Sequence, residues 1–235
     1  MTQVRERKHV AGLLPGRRER RKAETRERLF RAAMRLFAER GFFETTTENI
    51  TEAADVGLGT FFNYFPSKHH VFTVLSEKQI EKVKAACRQA EAGSRIRKVL
   101  ENLMHSIANE PGKSQALTRS LFTAFISNDQ VRGLTRDTMT FGRARIAEII
   151  ATGQRRGEIR RDREADALAL AFQRSVLGTL LLWAMQPNGD LHAWLDATFR
   201  DYWAAAETRA NLKGAKYASR PSKKLRKSQR TRTKP

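Results

Sequence analysis

The chain has 235 residues with 45 Lys and Arg against 25 Asp and Glu, a formal net charge of +20 and a pI near 11.0, yet 40% of it is hydrophobic. That apolar share is enough for a buried core and excludes a wholly disordered basic protein, while the charge points to a polyanionic partner. Cys87 is the only cysteine, which excludes a disulfide scaffold and paired-cysteine zinc modules and fits a reducing cytoplasm.

The charge is unevenly placed. Residues 1–22 hold eight basic and two acidic side chains, residues 209–235 hold eleven basic and no acidic ones, and the middle of the chain is nearly neutral. Both ends are poor in large apolar residues, so burial cannot offset ordering entropy, and they are expected to be disordered basic tails with 12–21 as a hinge. No apolar leader opens the chain, so secretion is not expected. The most apolar stretch, Ala167 to Met185, is interrupted by Gln173 and Arg174 and leaves runs too short for a span of ~20 residues, so it reads as a buried core helix and no membrane partner is expected.

From Ala23 the periodicity is helical. Leu29, Ala33, Leu36 and Phe37 share one helix face, and Gly41 supplies a stop. Thr45-Thr46-Thr47-Glu48 opens a short second helix, because a threonine hydroxyl can cap free N–H groups at a helix start; Ile50, Ala53 and Ala54 are its apolar positions. The pattern breaks at Asp55-Val56-Gly57, and a third short helix begins at Leu58-Gly59-Thr60-Phe61-Phe62. Further helices are predicted near 67–91, 95–109, 114–127, 130–155, 163–186 and 191–207, separated by glycine, proline and asparagine breaks. The expected fold is all-α: a three-helix N-terminal unit over 23–68 followed by a bundle of about six helices over 69–208.

Two short helices joined by a tight turn have the geometry of a helix-turn-helix, whose second helix enters the DNA major groove, although short helix pairs also occur in other all-α proteins. The string from Gly41 to Lys68 carries more than periodicity. Its Gly41-Phe42, Thr45-Thr46, Ile50-Thr51, Ala54-Asp55-Val56, Gly59-Thr60-Phe61-Phe62, Tyr64-Phe65 and Lys68 resemble the DNA-binding domain of the tetracycline-repressor (TetR) family of bacterial transcription regulators. Asp55 stands where the family has a turn glycine, Thr51 replaces an alanine, and Phe62 replaces a tyrosine whose hydroxyl would meet DNA.

The resemblance implies a cytoplasmic, ligand-responsive regulator, a repressor by family habit, that binds double-stranded DNA as a homodimer on a palindromic operator, with no catalysis and no cofactor. An activator on the same fold would look alike, and a basic protein coating nucleic acid without specificity is the rival from another class. By position, Thr46 would meet a phosphate, with Thr47 and Glu48 near the groove. Gly57, Leu58, Gly59 and Thr60 would form the first turn of the reading helix, Leu58 and the Thr60 methyl touching thymine methyls. Phe62, Tyr64 and Lys68 complete the expected DNA-facing set, while Phe61 and Phe65 are expected in the core.

His69 and His70 point about 100° apart on a helix and are expected on a solvated surface. His9, His105 and His192 have no ligand cluster at metal spacing, so no metal is expected. Cys87 reads as a packed or half-exposed thiol, and no phosphate loop or nucleophile elbow offers an enzyme reading. Two apolar stripes on the helix near 163–186 call for neighbours on both sides, in the family a second copy, otherwise a monomeric core. Phe122, Phe125, Ile126, Met139, Phe141 and Ile146 supply apolar material in which relatives hold a small effector; the effector's contacts are not assigned.

Overall fold

The computed structural model describes residues 16–186 and 189–208. Among these residues lie nine α-helices: α1 Arg17–Arg40, α2 Thr47–Ala53, α3 Leu58–Phe62, α4 Phe72–Glu91, α5 Ile96–Asn109, α6 Gln115–Ser127, α7 Asp129–Arg155, α8 Ala165–Met185 and α9 Leu191–Ala206. An isolated antiparallel bridge, Ile159 to Glu207, is the only β pairing among them. Of the disordered tails expected over 1–22 and 209–235, residues 1–15 and 209–235 lie outside the described residues, and Arg17 to Lys22 are helical instead.

Most breaks fall where turn chemistry put them. Gly41 ends α1 at φ +87°, Ser114 Oγ accepts from Leu117 N–H to cap α6, and Asn128 Oδ1 accepts from Val131 N–H to cap α7. Two starts differ from expectation. α1 begins at Arg17 rather than Ala23, because Arg, Lys and Glu are good helix formers and the run from Arg17 to Lys22 contains no breaker. The helix expected from 67 opens instead with a 3-10 turn, Lys68–Val71, and becomes α-helical at Phe72.

Two apolar cores hold the molecule. One joins α1, α2 and α3 through Leu29, Phe37, Phe42, Ile50, Phe61 and Phe65, and it continues into Phe72 and Leu75 of α4, Leu117, Leu121 and Ala124 of α6, and Val131 of α7. Packing therefore crosses the boundary expected after Lys68. The second core fills the bundle with Leu100, Met104, Ile150, Phe172, Leu180, Leu195, Phe199 and Trp203.

α8 is, among the described residues, the one helix long and apolar enough to cross a membrane, and it packs in the bundle against α6, α7 and α9. One of its stripes is buried: Leu168, Phe172, Val176, Leu180 and Trp183. The other, Leu170, Leu177, Leu181 and Ala184, is only partly covered by the described residues: Ala184 is buried, Leu170 and Leu177 are half-buried and Leu181 is exposed, with Leu182 and Met185 exposed beside it. A helix expected to be buried nearly all round thus leaves an apolar face open.

Candidate nucleic-acid interface

α2 is only seven residues and α3 five, too short to persist alone. Directional contacts hold them. Thr46 Oγ1 accepts from Asn49 N–H at 3.1 Å while Thr46 N–H donates to Asn49 Oδ1 at 3.2 Å, a capping box closed by an amide. The Thr46 N–H expected to meet a phosphate is therefore already engaged; its hydroxyl proton and the N–H groups of Thr47 and Glu48 remain at that end. Buried Thr45 donates to the Gly41 carbonyl at 2.7 Å, and Thr51 Oγ1 donates to the Glu48 carbonyl at 2.9 Å. Asp55 adopts φ +50°, the left-handed conformation that a short polar side chain tolerates in place of glycine.

α3 presents a mixed surface. Phe61 and Phe65 are buried with ring centroids 5.4 Å apart, as expected, whereas Leu58 is 42% and Phe62 52% exposed. Thr60 and Tyr64 are half-buried beside them. A Cβ added at Gly57 or Gly59 would meet nothing within 4 Å, and both residues have ordinary backbone angles. Nothing among the described residues demands glycine there.

Lys68 does something the sequence did not announce. Its Nζ donates to the carbonyls of Phe42 (3.0 Å), Phe43 (3.1 Å) and Thr45 (2.7 Å) and sits 4.8 Å from the Phe42 ring centre. All three ammonium protons are spent on the loop between α1 and α2, so the side chain expected at a phosphate is an internal staple instead. Burial pushes its pKa below the usual lysine value, against the opposing pull of Glu44.

His69 and His70 likewise depart from the solvated surface expected of them. Asn128 Oδ1 is fixed by Val131, so Asn128 Nδ2 must donate to His69 Nε2, at 3.3 Å. That assigns the His69 proton to Nδ1, which meets Ser67 Oγ at 3.2 Å; Ser67 Oγ–H then points to His70 Nδ1 at 2.9 Å. Burial, then the charges of Lys68 and His70, hold the His69 pKa below its ordinary value, consistent with a neutral ring. The chain of donors ties the turn after α3 to the α6–α7 junction.

Rings connect the same regions. Phe122 contacts Phe125 (6.2 Å between centres), Phe125 contacts Phe72 (5.6 Å), Phe72 contacts Phe42 (5.6 Å), and Phe42 contacts His69 (5.4 Å). Phe122 and Phe125 also line a cavity of about 150 Å³ between α4, α5, α6, α7 and α8. On the outer side, Arg26 forms a two-pronged ion pair with Glu77, and Lys78 pairs with Glu27, fastening α1 to α4.

Sequence reasoning missed the first turns of α1. Arg17, Arg18, Arg20, Arg21 and Lys22 are exposed on a helix rather than strung along a hinge, and unbroken helix formers were the available signal. It also separated His105 from His192, whose rings stack 5.5 Å apart while Asp196 meets His105 Nε2 at 2.9 Å. Among the described residues no group of three or more side chains is arranged to hold a metal; His9 lies outside them. Cys87 is half-exposed, its pKa raised by burial.

The geometry finds its counterpart in known proteins. The family model described as bacterial regulatory proteins, tetR family, matches residues 29–75. The chain is 26% identical over 174 residues to the "Probable acrEF/envCD operon repressor" of Escherichia coli (strain K12), covering 71% of this chain and 79% of that protein. It is 46% identical over 57 residues to the HTH-type transcriptional regulator TcmR of Streptomyces glaucescens, covering 24% and 25% of the two. The solved structure of Thermus thermophilus FadR, a TetR-family transcriptional repressor in complex with lauroyl-CoA, is 32% identical, covers 75% of this chain and 92% of that one, and superposes with a TM-score of 0.54. With the head, the bundle and the relatives in agreement, this chain belongs to the TetR family of bacterial regulatory proteins, DNA-binding regulators of transcription.

Proposed function

We propose that the protein is a cytoplasmic, ligand-responsive repressor that binds a palindromic operator as a homodimer and has no catalytic role. The observation that carries the DNA-reading part is the outer surface of α3. Leu58 and Phe62 are exposed apolar side chains, Phe62 resting edge-on against Phe61 at 5.6 Å between ring centres, and Gly57 and Gly59 have open space around them, as close approach to a base-pair edge requires. Leu58 and the Thr60 methyl read thymine methyls, and Tyr64 supports the backbone contact. Thr46, Thr47 and Glu48 sit at the end of α2 that faces the same groove. Lys68 acts by holding the loop of residues 42–45, and the basic start of α1 supplies phosphate attraction.

The open stripe of α8 supports the homodimer. Leu181, Leu182 and Met185 lie exposed on one helix, and a two-fold pairing of α8 and α9 would bury them and set two reading heads on successive half-sites. The ligand bound by the Thermus thermophilus relative supports an effector in the cavity lined by Phe122 and Phe125. An occupant there moves Phe125, and with it Phe72 and the loop of residues 42–45. The effector must prefer the DNA-incompetent arrangement to release the operator.

Selection of bound genomic DNA by the purified protein tests the reading. A two-fold motif with half-sites about one helical turn apart is expected; equal affinity for selected and scrambled DNA at several salt concentrations ends it. Leu182→Glu should shift sedimentation to the monomer and abolish operator binding together.

A further inference from the structure

The cavity between α4 and α8 carries information about what it binds. Its lining is uncharged throughout: aliphatic and aromatic side chains with Ser76, Gln79, Thr135, Thr138 and Gln173 as the polar members. Burying an ionised group against such walls leaves its charge uncompensated, which strongly disfavours a charge seated inside the cavity. Phe122, Phe125 and Phe172 offer ring faces and edges. The volume of about 150 Å³ is the size that, in an apolar protein interior, accepts a single aromatic ring.

The polar groups are not equivalent. Gln173 Nε2 is spent on the Met139 carbonyl at 3.1 Å and Thr135 Oγ1 on the Val131 carbonyl at 2.9 Å. Gln79 Nε2 donates to the Ile107 carbonyl at 3.2 Å, which fixes the amide, since a carbonyl can only accept. Gln79 Oε1 is thereby turned away from Ile107, and it is buried with no hydrogen-bond partner. The other such atom among the described residues, Ser120 Oγ, is not in the wall. The hydroxyls of Ser76 and Thr138 can take either role and do not discriminate. Gln79 is thus a wall residue that carries a buried acceptor without a partner.

We propose that the effector is a compact, uncharged, largely apolar molecule with one hydrogen-bond donor, of the phenol or indole kind, whose donor meets Gln79 Oε1 within the ring-lined cavity. The proposal rests on the ligand-responsive reading for its regulatory meaning, but not for binding itself. An unpaired buried acceptor penalises the empty cavity and any occupant lacking a donor, so the donor decides among molecules of equal size.

Calorimetric titration of the full-length protein with 4-ethylphenol, 4-ethylanisole, 4-ethylbenzoate and lauroyl-CoA tests this. The phenol is expected to bind about tenfold more tightly than its methyl ether, and the benzoate and lauroyl-CoA more weakly than either. In Gln79→Met the phenol should lose that advantage while the ether is unaffected; the wild-type series decides the matter even if this variant folds poorly. Equal binding of phenol and ether overturns the donor, tighter binding of the benzoate or lauroyl-CoA overturns the neutral occupant, and no binding of the phenol at millimolar concentration overturns both. Operator affinity is measured separately with and without the phenol. If the phenol binds as expected and operator affinity is unchanged, the ligand class stands and the ligand-responsive function falls.

Discussion

The reading head and the bundle are held together by different physics. α2 and α3 have seven and five residues, and their geometry depends on single directional contacts: one capping box, one residue at φ +50°, one ammonium shared among three carbonyls. The bundle is built from helices of 13 to 27 residues around a broad apolar core, in which no single hydrogen bond is decisive. A head of that kind answers abruptly to the loss of one contact. A bundle of that kind answers gradually to a change in volume, and volume is what a small occupant adds. The rings from Phe122 to Phe42 join the two in one line of contacts.

Substitution at the joint should have the largest effect. Phe72 is fully buried and touches Phe37, Phe42 and Phe125, so Phe72→Ala is expected to cost about 3–5 kcal/mol in denaturant unfolding. Phe72→Leu keeps much of the volume and should cost less than about 1.5 kcal/mol. It should retain operator binding but blunt its release by ligand; full release in that variant breaks the link drawn between the two regions.

Lys68→Met sharpens the contrast within one molecule. Loss of the three bonds should destabilise the head by about 2–3 kcal/mol. All three tryptophans, Trp183, Trp194 and Trp203, lie in α8 and α9, so fluorescence reports on the bundle and far-ultraviolet dichroism on every helix. The two unfolding curves should separate in the variant, and coincident curves would mean that head and bundle unfold as one.

A smaller effect follows from His69. Its pKa in the fold lies below the ordinary 6.5, so the stabilisation from its neutral ring is complete above that value and is lost as pH falls through the lower one. Stability should begin to decline as pH falls through the ordinary 6.5 and level off below the lower value in the fold, with a shallower slope in His69→Gln; an unchanged slope would place the responsible group elsewhere. The smallest effect on stability belongs to Leu58→Ala, within about 0.5 kcal/mol because the side chain is exposed. Its cost should fall on base discrimination, about 1 kcal/mol at the affected position, measured by competition between operator variants.

What was legible in the chain follows the same division. Helix limits such as 115–127 and 191–206 were readable because Pro111, Gly112 and Asn128 flank the first in the sequence and Pro187-Asn188-Gly189 precedes the second. The core positions of Phe61 and Phe65 came from the motif. Partnerships over distance were not readable. Lys68 reaches back 23 to 26 residues, His69 meets Asn128 59 residues on, and His105 finds His192 87 residues away. Nothing local to Lys68 distinguishes a staple from a phosphate contact, because one ammonium serves either purpose. Gln79 resembles any helical glutamine until the Ile107 carbonyl fixes its amide. The second stripe of α8 was legible as a face that needs a neighbour, but periodicity does not say whether the same chain or a second copy covers it.

The first core has a consequence for exchanging parts between relatives. Its wall is completed by Leu117, Leu121 and Ala124 of α6 and Val131 of α7, more than fifty residues beyond Tyr64. A chimera cut after α3 would therefore place these side chains against a surface they did not evolve with. The transferable cassette is discontinuous: α1 to the start of α4 together with one face of α6, so new operator specificity is better introduced on the outer surface of α3 than by moving the head whole.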